Sequence, residues 1–167
     1  SNNPFLLLLG KAGSGKTHLF CDFAEQKLTS KKFQPVIIVF ANYFKSGDFW
    51  AEIIRQLSID QSFNKKEDLL DFINSEGKKH DCRSLLVIDA LNETPREYIQ
   101  LWKESLNEII SEIKEYPHIS LAVSVRSNWE DIVISSSQHS AFEEIFHSGL
   151  VYKEFESEDM FLKEVGL

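Results

Sequence analysis

This chain of 167 residues is short of several residue types, and each shortage narrows what it can be. Its two cysteines, Cys21 and Cys82, have neither metal-ligand nor redox spacing, and they read as reduced cytosolic thiols. No apolar run approaches the ~20 residues of a membrane-crossing helix, and Phe5 to Leu9 is also too short for a signal-peptide core. Arginine occurs only at Arg55, Arg83, Arg96 and Arg126, and the net charge is −8. So acidic a chain lacks the footprint of a non-specific nucleic-acid binder; neither a nucleic-acid contact nor a membrane partner is expected. There is no internal repeat, low-complexity tract or shift of composition, so residues 1–167 read as one domain. The sequence also offers no metal-ligand cluster and no nucleophile with a paired base.

Glycine is sparse too, with seven in all, yet Gly10, Gly13 and Gly15 stand together in Gly10-Lys11-Ala12-Gly13-Ser14-Gly15-Lys16-Thr17. Glycine, four residues, then Gly-Lys-Thr is the phosphate-binding P-loop pattern. The three glycines are expected to adopt backbone angles that a Cβ would forbid, so that successive N–H groups turn inward on one anion. Ala12 and Ser14 complete the cradle. Lys16 reaches the β- and γ-phosphates, and the Thr17 hydroxyl ligates the Mg²⁺ that bridges them. His18 closes the nucleotide-binding stretch on the first helical turn, where a solvated or packing role fits better than catalysis. ATP and Mg²⁺ are the expected cofactors. Phe5 to Leu9 suits a buried parallel strand. Leu19, Phe20, Phe23, Ala24 and Leu28 recur at helical spacing after the loop, and that helix points its positive end at the phosphates.

Further along, Val36 to Phe40 reads as a strand. Phe49, Trp50, Ile53, Ile54 and Leu57 mark a helix from about Asp48. Asn64 with Glu67 forms a capping box for a helix that carries Leu69, Leu70, Phe72 and Ile73 and ends by Gly77. Ser84 to Asp89 is the third strand. Thr94-Pro95-Arg96-Glu97 is a second capping box with Pro95 at the first helical position, opening a helix stopped by Tyr116-Pro117. Its core face is Ile99, Trp102, Leu106, Ile109, Ile110 and Ile113. Ile119 to Ser124 is the fourth strand, with Arg126 just past its end. Residues 129–147 are ambiguous, with a serine-rich loop at Ser135 to Ser137. Leu150 to Tyr152 gives a last short strand, and Ser157 caps a final helix. Trp50, Trp102 and Trp129 are most simply core residues, although Trp129 could approach a base. The alternation predicts an α/β, three-layer P-loop NTPase with a mostly parallel sheet of about five strands and helices on both faces. Ligands of such sheets sit at the C-terminal strand ends, where Gly10, Asp89 and Arg126 all fall.

Asp89 ends an apolar strand, as the second signature of these proteins requires, and its carboxylate would hold Mg²⁺ directly or through water. Glu93 lies four residues on, within reach of an attacking water as its general base. Arg126 and Ser124 stand where a residue could sense the γ-phosphate, arginine by a bidentate contact. Lys16, Glu93 and Arg126 are thus the candidate catalytic residues.

Together, Gly10 to Thr17, Leu85 to Glu93 and Leu121 to Arg126 resemble the STAND class of signal-transduction ATPases, whose best-known branch is the NACHT domain. Leu86-Val87-Ile88-Asp89-Ala90-Leu91-Asn92-Glu93 looks like the extended acidic motif of that class, with Ala90 where glycine is usual and Asn92 where aspartate is usual. Ser124-Val125-Arg126 resembles its sensor-strand ending, often Thr-Ser-Arg. The resemblance implies a cytoplasmic, slowly hydrolysing ATP switch of the kind found in bacterial antiviral defence. Effector and sensor domains would lie in the same longer chain, which would form a homo-oligomer when its target is found. A first strand only five residues from the N-terminus fits a piece cut from something longer. The alternatives are an AAA-like loader acting on nucleic acid, expected to add basic DNA-contacting elements, and a small-molecule kinase. The kinase would usually need an arginine-rich lid, and residues 129–147 hold no arginine. A nucleotide-binding module that has lost hydrolysis is the third.

Overall fold

Five short apolar stretches line up side by side in the computed structural model, which describes residues 3–57, 63 and 65–149. They are β1 (Phe5–Gly10), β2 (Val36–Phe40), β3 (Ser84–Asp89), β4 (Ile119–Arg126) and β5 (Glu143–His147). Their order across the sheet is β2-β3-β4-β1-β5, and every neighbouring pair is parallel. This is the expected α/β P-loop NTPase fold. The inner strands β1, β3 and β4 are buried almost throughout, because helices cover both sides of a parallel sheet and each residue faces protein. The edge strands β2 and β5 are only partly buried.

One face is covered by α1 (Lys16–Thr29), which packs Leu19, Phe20 and Phe23 on Leu6, Leu8, Leu85, Val87 and Ala122. The larger core lies on the other face, beneath α2 (Phe49–Leu57), α3 (Lys66–Lys79) and α4 (Arg96–Lys114). There Trp102 stacks on Phe44 with centroids 4.8 Å apart and meets Phe49 edge-on. Two short helices, α5 (Glu130–Val133) and α6 (Ser136–His139), lead from β4 to β5. No helix among the described residues is long and apolar enough to cross a membrane.

Several local expectations need correcting. Leu28 and Phe72 are exposed, at 60% and 45%. At about 100° per residue, Leu28 falls nearly opposite the Leu19–Phe20–Phe23 stripe, and Phe72 falls outside the Leu69–Leu70–Ile73 stripe. Gly77 does not end α3, which runs on to Lys79. A Cβ at Gly77 would lie 2.5 Å from the His118 carbonyl, so glycine there permits close packing of helix and sheet. Asn64 lies outside the described residues, and Lys65 takes the N-cap without a side-chain bond. Thr94 does not cap α4: its hydroxyl donates to the Leu91 carbonyl (2.8 Å), and Pro95 is the N-cap. β4 runs two residues beyond Ser124, so Arg126 is its last residue. Ser135 opens α6 through a true capping box instead of lying in a loop. The expected strand at Leu150 to Tyr152 and helix after Ser157 lie outside the described residues. The fifth strand comes from the stretch left ambiguous.

Candidate functional site

The loop between β1 and α1 turns on Gly13 (φ 68°) and Gly15 (φ 90°), left-handed angles that favour glycine. Gly10 is different. It has no positive φ, but a Cβ there would lie 2.7 Å from the His147 carbonyl and 2.8 Å from Ser14 Oγ. The first glycine is required by space, the other two by angle. Lys16 arches back over the loop, donating from Nζ to the carbonyls of Gly10 (2.9 Å) and Lys11 (3.0 Å). Burial pushes the Lys16 pKa down; Asp89 and Glu93 act upward against it, and Arg126 acts downward.

Strand order decides the rest. β4 lies between β1 and β3, and the register Ile88↔Val123 sets Ser124 beside Asp89. Asp89, only 2% exposed, accepts from Ser124 Oγ at one carboxylate oxygen (2.5 Å) and from Thr17 Oγ1 at the other (2.5 Å). Ser124 Oγ also accepts from the Ala90 N–H (2.8 Å). Ser124 therefore holds the carboxylate, and it also lines the cleft. The chain then turns through Ala90 at φ 55°, a left-handed angle costing an alanine roughly 1–2 kcal/mol. A 3₁₀ turn, Leu91–Glu93, follows and carries the exposed Glu93. Asn92 Oδ1 accepts from the Arg126 N–H (2.8 Å), tying this turn to the end of β4.

These residues surround an open cleft of about 670 Å³, a volume suited to a small-molecule ligand. Ala12, Gly13, Ser14, Gly15, Lys16, Thr17 and His18 line it from the loop and α1, and Asp89, Glu93 and Arg126 from the strand ends. Of the residues expected at the site only Gly10 is not on the wall; it lies at the root of the loop. His18 is 64% exposed and pairs with Asp22 one turn along α1 (3.3 Å), in keeping with a solvated role. Trp129 departs from the core expectation: it is 36% exposed and, with Cys21, lines the cleft.

The donor set suits magnesium. Among the described residues no group of three or more His, Cys, Asp or Glu could cage a metal. Mg²⁺ needs no such cage, since it takes one or two carboxylates and completes its shell with phosphates and water. The touching Thr17 hydroxyl and Asp89 carboxylate offer that kind of partial site. Sequence reasoning missed the bond of Asn92 to Arg126 and the approach of His147 to Gly10. Both arise from strand register, which local spacing does not carry.

A family model described as an AAA domain matches residues 1–124. The chain is similar in fold to the Drosophila ORC bound to AT-rich DNA and Cdc6, with a TM-score of 0.55 and 18% identity over 94% of this chain and 55% of that one. It is also similar to Cdc6p of Pyrobaculum aerophilum, with a TM-score of 0.53 and 16% identity over 98% of this chain and 43% of that one. A Walker-type ATPase of Pyrococcus abyssi gives a TM-score of 0.55 and 15% identity over 99% of this chain and 55% of that one. The chain thus spans about half the length of these structures, and the likeness is one of fold. No curated protein matches the chain.

Proposed function

The chain belongs to the AAA domain family, and we propose that it binds ATP with Mg²⁺ and hydrolyses it slowly, as the nucleotide switch of a STAND-type, NACHT-like signalling or antiviral defence ATPase. The observation that carries the nucleotide reading is the joining of two motifs distant in sequence. Thr17 and Ser124 both donate to the buried Asp89, beside the Lys16 ammonium and a glycine loop open to the cleft. The loop N–H groups and Lys16 would receive the phosphates. Thr17 and Asp89 would hold Mg²⁺, which supplies charge neutralisation and a fixed orientation for the phosphates. Glu93 takes the proton of the attacking water, and Arg126 contacts the terminal phosphate.

The STAND assignment rests on the run Leu86 to Glu93 and on the strand ending Ser124 to Arg126. With it go a single ATPase domain over residues 1–167, effector and sensor domains in a longer cytoplasmic chain, and an ATP-dependent homo-oligomer of that chain. The second reading is an AAA-like loader acting on nucleic acid. The fold likeness to the DNA-bound ORC brings it forward, while the net charge of −8 and the scarcity of arginine count against it. Titration calorimetry with Mg-ATP tests the shared part. Lys16→Ala removes a charge-assisted contact of about 1.5–3 kcal/mol, so its affinity should fall roughly 10- to 100-fold. Equal affinities would remove Lys16 from the site. Salt-dependent binding of duplex DNA by the wild-type chain would favour the loader.

A further inference from the structure

Gly10 has a different kind of neighbour on each side. Towards β4, its carbonyl accepts from the Ser127 N–H (3.0 Å), and beyond it Asp89 and Ser124 are fully engaged. Towards β5, two side-chain atoms are buried with no partner, Ser14 Oγ and His147 Nε2. Both residues reach the same glycine, His147 by its backbone: a Cβ on Gly10 would meet the His147 carbonyl at 2.7 Å and Ser14 Oγ at 2.8 Å. His147 is the last residue of β5, pairs in register with Gly10 and is 9% exposed. The chain leaving β5 stays close: a Cβ at Gly149, two residues on, would lie 3.9 Å from the Ser14 carbonyl.

We infer that His147 is a positioning residue of the phosphate loop, bracing the Ser14 segment from the end of the edge strand and responding to the charge state around Lys16. This rests on the nucleotide reading above and deepens it. Burial pushes the His147 pKa down, a hydrogen bond with the Ser14 backbone acts upward, and the Lys16 ammonium acts downward. β1 carries no charged side chain, and Lys11 stands in the loop. Glu143 shares the ring's side of β5 but sits four residues away, about 13 Å. Glu144, on the opposite side, is paired with the His139 ring (2.8 Å). A polyphosphate beside Lys16 offsets the ammonium charge that disfavours the imidazolium. The ring then holds a proton more readily, and the protonated ring bonds the Ser14 backbone more strongly.

Proton and nucleotide consequently bind together. The bound chain has the higher His147 pKa, so the added affinity is fully present below the pKa of the free chain. It is lost as pH rises through the pKa of the bound one. NMR titration of the histidine rings, with and without saturating Mg-ADP, reads this directly, the His147 signal being assigned by its loss in His147→Gln. The expected result is a midpoint below the ordinary histidine value of about 6.5 in the free chain, rising by ~0.5 pH unit or more on binding. Calorimetry between pH 5.5 and 8 should show wild-type Mg-ADP affinity gaining about threefold more on acidification than that of His147→Gln, the equivalent of that shift. The nucleotide's own phosphate titration is common to both proteins and cancels. At pH 8, His147→Gln, which keeps a donor for the Ser14 backbone, should bind within about threefold of wild type, and His147→Leu about tenfold more weakly. An unmoved midpoint, or identical pH profiles for wild type and His147→Gln, overturns the inference while leaving the nucleotide site intact. A wild-type chain that binds no Mg-ADP overturns the nucleotide reading and this inference with it.

Discussion

On one side of β1 runs β4, buried at every position but its last, with its serine hydroxyls bonded to the neighbouring strand or to Asp89. On the other runs β5, an edge strand that leaves Phe146 59% exposed and ends on a histidine with one unpartnered nitrogen. Both touch the same phosphate loop, and they constrain it by different means. The β4 side fixes charge: two hydroxyls hold the Asp89 carboxylate, and Asn92 holds the backbone of Arg126. The β5 side fixes shape, through the His147 carbonyl crowding Gly10. A buried carboxylate tolerates no missing donor, because the cost of leaving it unsatisfied is high. A loop held by backbone approach depends mainly on what its first glycine lacks.

The comparison can be broken most strongly where chemistry is at stake. Glu93→Gln should leave Mg-ATP binding unchanged while phosphate release falls by ~10²- to 10⁴-fold, the usual contribution of a positioned general base. Unaltered turnover would make Glu93 a solvated loop acid. Next in size is Ser124→Ala, which removes one of the two donors to Asp89. A hydrogen bond to a charged group is worth about 1.5–3 kcal/mol, so urea unfolding should show a loss in that range, with weaker Mg²⁺-dependent nucleotide binding. If Ser124→Ala unfolds like wild type, the β4 side is not held by charge.

Gly10→Ala probes the opposite side. Its methyl group must displace the His147 carbonyl, and stability should fall by about 1–3 kcal/mol, as in an overpacked core. A neutral result would mean that β5 yields easily. The smallest expected effect is a gain. Ala90→Gly relieves a left-handed alanine and should raise stability by about 1 kcal/mol without disturbing the Asp89 bonds, visible as a higher unfolding midpoint. Were it to destabilise, the turn after β3 would owe its shape to something other than backbone angle.

The two sides also differ in how far the sequence discloses them. β1 and β3 are apolar runs between turn signals and β4 is one broken only by Ser120 and Ser124, so the three strands are legible, as are the positions of Lys16, Thr17 and Asp89 on the loop and strand they belong to. Glu143-Glu144-Ile145-Phe146-His147 gives no such signal, because it becomes a strand only by pairing with the free side of β1. The bond of Ser124 to Asp89 is not legible in the sequence, since it depends on which strand lies between β1 and β3. Thr94 does not act as the cap its spacing suggests, because its hydroxyl donates to the Leu91 carbonyl (2.8 Å) instead of accepting from the first helical N–H groups. Trp129 reads most simply as core although it could approach a base, and composition cannot tell an aromatic beside a polar cleft from a packed one.

Among the described residues, α1 is the one helix whose side chains join the core on its face of the sheet, against Leu6, Leu8, Leu85, Val87 and Ala122. Its first residue is Lys16. The helix that shields half of the sheet from water is therefore anchored at the phosphate loop itself. A ligand gripping that loop resists the lifting of α1, and the opening that would let β1 and β3 amides exchange their hydrogens becomes rarer by the free energy of binding. Site occupancy would then be recorded as slowed deuterium uptake along β1 and β3, back to their ends at Phe5 and Ser84, remote from the cleft.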